Sequence, residues 1–155
     1  VVFALIEGGP LPGEMVAQPF GGDRLTLIAP VDSSIPEDVS LRQVLEYPLL
    51  LREPGSAGRA AFDRLLQEHG LSVEPAWESV STQALVRAVA AGLGVAVLPD
   101  ALVRGDIDAG RVRECHIEGV RMERTYVIAR HKHKYLTHCA KRFIEICTAK
   151  NFDAQ

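Results

Sequence analysis

Leu49-Leu50-Leu51-Arg52-Glu53-Pro54-Gly55-Ser56-Ala57-Gly58-Arg59 is an apolar run, a charged pair, a Pro/Gly turn and the start of a segment that continues through Ala60-Ala61-Phe62-Asp63-Arg64-Leu65-Leu66. The spacing predicts a buried strand, a sharp turn and an amphipathic helix. Consecutive leucines bounded by turn residues suit a strand covered on both faces. Phe62, Leu65, Leu66 and His69 then share one helical stripe, and Gly70 is placed to stop it. A helix that starts just past a strand end points free backbone N–H groups, and the positive end of its dipole, at whatever lies beyond. Such a turn can hold an anion. It also suits an ordinary N-cap loop, and the spacing leaves both readings open.

Outward from this stretch, strands and helices alternate. Val1 to Ile6 reads as a fully buried, parallel strand, followed by a Gly/Pro loop through Gly9-Pro10 to Gly13. Met15 to Phe20 suits an edge strand, Gly21-Gly22-Asp23 a turn, and Arg24 to Ala29 a further strand stopped by Pro30. Ser40-Leu41-Arg42-Gln43 matches a capping box on a short helix that Pro48 limits. Val73 to Ser79 is a predicted strand, and Ser81 or Thr82 caps a helix that Gly92 ends. Leu93 to Pro99 is a second buried strand, and Asp100 to Ala109 a short helix stopped by Gly110. Val112 to Ile117 and Thr125 to Ala129 are the last strands. Leu136, Ala140, Phe143, Ile144 and Cys147 mark a closing helix with Thr137 near its cap, and the tail from Lys150 is expected to fray. The pattern is that of an α/β protein with a parallel or mixed sheet. Ligands in such sheets sit at the carboxyl ends of strands, where Glu7, Gly55, Ser56 and Ser81-Thr82 fall.

The 155 residues, 47% apolar and 24% charged, suffice for one domain or two small lobes. A net charge of −3 is no footprint for nucleic acid. Cys115, Cys139 and Cys147 form an odd, unpatterned set, which favours a reducing, cytoplasmic setting over a disulfide framework. No apolar run is long enough to span a bilayer, so no membrane partner is expected. The chain opens on a strand with no Met before it, which suggests that a larger protein begins upstream.

Few residues suggest chemistry. Pro54-Gly55-Ser56-Ala57-Gly58 has neither P-loop nor nucleophile-elbow spacing. His131-Lys132-His133-Lys134 with His138-Cys139 offers possible metal ligands, but the lysines repel cations, so a solvated basic corner is expected and no metal or cofactor. Cys115-His116 alternates sides on a strand, which rules against a catalytic pair. Glu7 could accept hydrogen bonds from a ligand or cap a helix. Trp77 and Tyr47 suit core or rim positions.

Leu50-Leu51-Arg52-Glu53-Pro54-Gly55-Ser56 with Arg59 resembles the effector-domain segment of LysR-type transcriptional regulators. Ser81-Thr82-Gln83-Ala84-Leu85-Val86-Arg87-Ala88-Val89-Ala90-Ala91-Gly92-Leu93-Gly94-Val95-Ala96-Val97-Leu98-Pro99 resembles a second hallmark, and Leu25-Thr26-Leu27-Ile28-Ala29-Pro30 a third. The Ala109-Gly110-Arg111-Val112 turn and the Phe143-Ile144-Glu145 helix agree in order. The resemblance covers nearly the whole chain. It implies a two-lobed, type 2 periplasmic-binding-protein-like α/β fold with lobe I incomplete. Residues 1–29 would form part of lobe I and 30–124 lobe II. Residues 125–155 would be a crossover strand and return to lobe I. The resemblance further implies a small, anionic effector in an interlobe cleft, held by Gly55, Ser56 and Ala57, with Glu7, Gly8 and Thr82 also facing it. Many relatives have a Thr hydroxyl near Ala57, and the loop from Asp32 to Pro36 lacks the usual His-Pro.

The function so implied is effector sensing without catalysis. DNA would be contacted only through a winged helix-turn-helix part absent from this sequence. A homo-oligomer, dimer or tetramer, and RNA polymerase are the implied macromolecular partners. The alternative is a solute-binding protein of a transporter with the same fold. An enzyme on this fold would need a general acid or base, for which Glu7 is the candidate.

Overall fold

The computed structural model describes residues 2–8 and 11–149. In chain order the elements are β1 (Ala4–Glu7), β2 (Met15–Ala29), β3 (Asp38–Val39), α1 (Leu41–Val44), β4 (Leu50–Arg52), α2 (Ala57–Glu68), β5 (Trp77–Ser79), α3 (Thr82–Ala90), β6 (Ala96–Pro99), α4 (Asp100–Asp108), β7 (Arg113–Ile117), β8 (Glu123–His131) and α5 (His138–Ala149). They form two compact units, residues 1–23 with 123–155 and residues 24–122. The units change over at Asp23–Arg24 and Met122–Glu123, against expected lobe boundaries at 29/30 and 124/125.

The second unit is built on strands buried from both sides. Its part of β2 pairs antiparallel with β6 (Leu27 opposite Val97) and with β7 (Leu27 opposite Cys115). β7 pairs parallel with β3, and β4 runs parallel to β5. A parallel bridge, Leu49 to Val95, ties the entry of β4 to that of β6. Leu49 and Leu51 face one core with Leu27, Val95 and Val97, where Phe62 and Leu66 of α2 close it. Leu50 faces the other with Ile28, Ala96 and Leu98, under Leu85, Val86 and Val89 of α3 and Val103 of α4. The unbroken apolar runs therefore mean two-sided burial, as the leucine triplet predicts. The sheet is mixed.

Local signals operate as written in the sequence. Ser40 and Gln43 complete the capping box, with Ser40 N–H donating to Gln43 Oε1 at 2.8 Å. Gly70, Gly92 and Gly110, each with a φ of 67–81°, follow the ends of α2, α3 and α4. His69, placed on the buried stripe of α2 by its spacing, is instead exposed and caps the helix end. Leu93 is 61% exposed, and the strand it was expected to begin starts at Ala96.

The first unit departs further from the sequence reading. β1 is antiparallel to β8, with Ala4 opposite Ala129 and Glu7 opposite Tyr126. It is not fully buried, since Leu5 is 47% exposed. Val1, part of the expected strand, and Gly9 and Pro10 of the expected loop lie outside the described residues, as does the tail from Lys150. Gly21-Gly22-Asp23 makes no turn: all three lie within the continuous strand β2. Gly22 serves close approach instead, since a Cβ there would stand 2.4 Å from the Arg124 carbonyl oxygen. α5 packs Ala140 and Ile144 inward, and Phe143 stacks on Phe3 with ring centroids 5.4 Å apart.

Two tests probe this framework. A Cβ on the buried Gly94 would lie 2.2 Å from the Pro48 carbonyl oxygen, a backbone contact that cannot rotate away. Gly94→Ala should cost about 2–4 kcal/mol in urea unfolding, whereas Gly105→Ala, in open space within α4, should gain up to about 1 kcal/mol. Asp100 accepts from the buried Thr26 hydroxyl at 2.8 Å and from Arg24 at 3.1 Å, and pairs with Arg104. Burial alone would raise its carboxyl, but Arg104, Thr26 and Arg24 outweigh that and hold it below the ordinary 3.8. Its contribution is therefore complete above pH 3.8 and lost as the pH falls through the lower folded-state value. Asp100→Ala should cost about 2 kcal/mol at pH 7, with the gap to the parent narrowing in unfolding curves taken below that pH.

Candidate functional site

β4 and β5 are neighbours in parallel register, Leu50 opposite Trp77 and Arg52 opposite Ser79. Their carboxyl ends therefore share one edge. From that edge β4 turns through Glu53-Pro54-Gly55 into α2, and β5 passes Val80 and Ser81 into α3. Gly55 has a φ of 96°, which a side chain would strain. The first amides of both helices point back over the strand ends and find no acceptor within their own helices.

The two caps differ. Ser81 Oγ accepts from Ala84 N–H at 3.2 Å, an ordinary N-cap. Ser56 also holds the N-cap position, in extended conformation, but its hydroxyl makes no capping bond. That hydroxyl is half-buried at the start of a helix whose first turn carries no acidic residue.

Two arginines hold this edge. Arg52 donates from Nε and Nη2 to the two carboxylate oxygens of Glu53, at 2.8 and 3.1 Å, and from Nη1 to Thr82 Oγ1 at 3.1 Å. The Arg52 fork, first among its causes, holds the Glu53 carboxyl below its usual value. Arg59 lies deeper, with its side chain 11% exposed. It donates to the Arg52 carbonyl at 2.9 Å, to Glu78 at 2.6 Å and to both oxygens of Asp63 at 3.0 Å. Burial would weaken its charge, but Glu78 and Asp63 more than reverse that. The turn between β4 and α2 is thus pinned from below by Arg59 and tied to α3 through Arg52 and Thr82.

Of the residues singled out in the sequence, Gly55, Ser56, Ala57 and Thr82 belong to this edge of the second unit. Glu7 and Gly8 belong to the first unit. Glu7 ends β1 with its carboxylate 3.5 Å from Arg124, which also pairs with Asp23. Gly8 donates its amide to the Thr125 carbonyl at 2.6 Å. Arg52, Glu53 and Arg59 were visible as motif letters but not as site residues. Their signal is a charged pair placed directly after an apolar run, followed by an arginine in the first turn of α2.

Other features carry less. An open hollow of about 560 Å³ lies at the far end of α3, lined by Ala90, Ala91 and Gly92 with Pro30 to Ser33. Helix carboxyl ends present carbonyls there, which disfavours anions, and its cation Arg111 is engaged by Asp106 at 2.6 Å. His131, Lys132 and His133 are exposed around Glu14, as a solvated corner. Among the described residues no group of His, Cys, Asp and Glu is arranged to hold a metal ion. Cys115 is buried, and His116 on the same strand points outward. Trp77 is 43% exposed, a rim position.

The family model described as the LysR substrate binding domain matches residues 3–151. The chain belongs to the LysR substrate-binding domain family. It is 31% identical over 152 residues to the uncharacterized HTH-type transcriptional regulator YeiE of Escherichia coli K12, covering 97% of this chain and 52% of that protein. The chain thus spans about half the length of such relatives. The regulatory domain of Synechocystis PCC6803 CcmR in complex with 2-PG superposes with a TM-score of 0.83 at 21% identity, covering 98% of this chain and 74% of that one. The effector binding domain of QuiR in complex with shikimate does so with a TM-score of 0.78 at 15% identity, covering 95% and 70%. The two-lobed α/β fold expected from the sequence is that of these domains. Among the described residues no helix is long and apolar enough to cross a membrane.

Arg59→Gln removes the donor shared by the Arg52 carbonyl, Glu78 and Asp63. It should cost about 1–3 kcal/mol by chemical unfolding. Amide exchange should accelerate locally at Gly55 to Ala57 while the amides of β6 stay protected.

Proposed function

We propose that this domain senses a small anionic metabolite at the edge where β4 and β5 give way to α2 and α3. The observation that carries the reading is the Ser56 hydroxyl, which leaves its capping role unfilled at a helix start that follows the Arg52–Glu53 pair in the chain. An anion there takes the Ser56 hydroxyl, the amides of Ala57 and its neighbours past Gly55, and the Thr82 hydroxyl proton. Thr82 Oγ1 already accepts from Arg52, so its own O–H is available to donate. Like-folded domains hold small molecules, 2-PG in one and shikimate in the other, which supports the binding of a small molecule. Glu7 and Gly8 lie in the first unit. There Arg124 engages the Glu7 carboxylate, and the Thr125 carbonyl takes the Gly8 amide.

In the parent protein, effector binding would stabilise one conformation over another. That shifts the grip on DNA of a winged helix-turn-helix part outside this chain. A cytoplasmic homo-oligomer, acting with RNA polymerase on its promoter, completes the reading.

Calorimetric titration with a panel of small carboxylates and phosphates tests it. At least one should bind. Ser56→Ala should weaken that ligand about tenfold to hundredfold, the worth of one hydrogen bond to a charged group. Operator binding by the full-length protein should respond to the same ligand. Binding of none, or binding indifferent to Ser56, would overturn the proposal.

A further inference from the structure

The guanidinium of Arg52 is already gripped by an anion from its own chain. Glu53 is the next residue, and both its carboxylate oxygens sit on the Arg52 fork at 2.8 and 3.1 Å. Three of the five guanidinium N–H groups are used, two by Glu53 and one by Thr82. Two remain, one on each terminal nitrogen. The Arg52 side chain is 23% exposed and that of Glu53 32%, so the pair is open to solvent and to solutes. A neighbour-to-neighbour ion pair forms without closing a loop and therefore stays populated, but at this exposure it is weak. It is the kind of contact an external anion can displace.

We infer that Arg52 is the anion-reading side chain of this site and that Glu53 is its built-in competitor. This rests on the effector-site reading above. Glu53 lowers the affinity for every anion, by repulsion and by occupying the fork, and it lowers it most for ligands with a single weakly charged group. A ligand with a bidentate carboxylate or phosphate can replace both Glu53 bonds at once, because it matches the same planar fork. A neutral polar ligand cannot. The pair thus selects planar or tetrahedral oxyanions over neutral metabolites and sets a concentration threshold for them. Displacement also has a path onward. The Nη1 bond to Thr82 moves with the guanidinium, so a changed Arg52 pose is felt at the first residue of α3.

Inorganic phosphate is the probe, titrated into the ¹⁵N-labelled full chain and followed by NMR at the Arg52 Nε–Hε group and the amides of Gly55, Ser56, Ala57 and Thr82. In the parent all these signals should move together. Glu53→Gln and Glu53→Ala, which keep Arg52 and delete the competitor, should each tighten phosphate about threefold to tenfold. Arg52→Gln should weaken it at least tenfold. If the Gly55 to Ala57 amides respond but the Arg52 signal does not, and both Glu53 variants bind as the parent does, the competitor role is wrong and the effector site stands. If neither the Arg52 signal nor the amides respond in parent or variants, the oxyanion-reading role of Arg52 is wrong, and the effector site is decided by the carboxylate and phosphate panel above.

Discussion

The second unit depends on burying its strands from both sides. Leu50 can be covered only from the α3–α4 side and Leu49 and Leu51 only from the α2 side, because successive side chains of a strand leave opposite faces. Two-sided covering demands helices on both faces, and short connections from parallel strands deliver them. With β4 and β5 parallel, both helices that follow must start at the same edge. The cluster of helix starts around Ser56 and Thr82 is thus a consequence of core packing. The proposed effector site is the place where this packing leaves backbone donors without helical partners.

That edge is polar in a controlled way. Each strand carries a charge near its carboxyl end, Arg52 directly after the buried Leu51 on β4 and Glu78 on the exposed β5. Arg59 joins them, donating both to the Arg52 carbonyl and to Glu78. An arginine this enclosed survives only because its donors are matched to acceptors; unpaired, its burial would be costly. Rigidity below and freedom above follow from the same bonds. Arg59 holds the turn, while Ser56 and the outer N–H groups of Arg52 remain for a ligand.

Much of this was legible from residue order. The leucine triplet, the Ser40 capping box, Ser81 as a cap and the glycines after α2, α3 and α4 all act within a few residues of their own position. Their effects need no knowledge of the fold. Where a residue's role came from a distant partner, the reading slipped. Gly21-Gly22 has the composition of a turn, yet the carbonyl of Arg124, about a hundred residues on, makes Gly22 the only residue type that fits within the strand. β1 has the composition of a buried parallel strand, yet β8 pairs with it antiparallel and leaves Leu5 half in solvent. An apolar run states that a strand is covered; it does not state by what, or in which direction its neighbour runs.

Within the site the same division holds. By itself the sequence determined that a helix starts at the Gly55-Ser56 turn and that the turn can receive an anion, because capping and helix dipole are local. Only the tertiary structure decided that Thr82 stands next to Arg52, that Arg59 reaches Glu78 and that Ser56 leaves its own capping bond unmade. These contacts join residues brought together by strand pairing and two-sided burial. The charges of Arg52 and Glu53 were plain in the sequence, but whether such a pair faces solvent, each other or a helix start depends on side-chain directions that the packed sheet imposes.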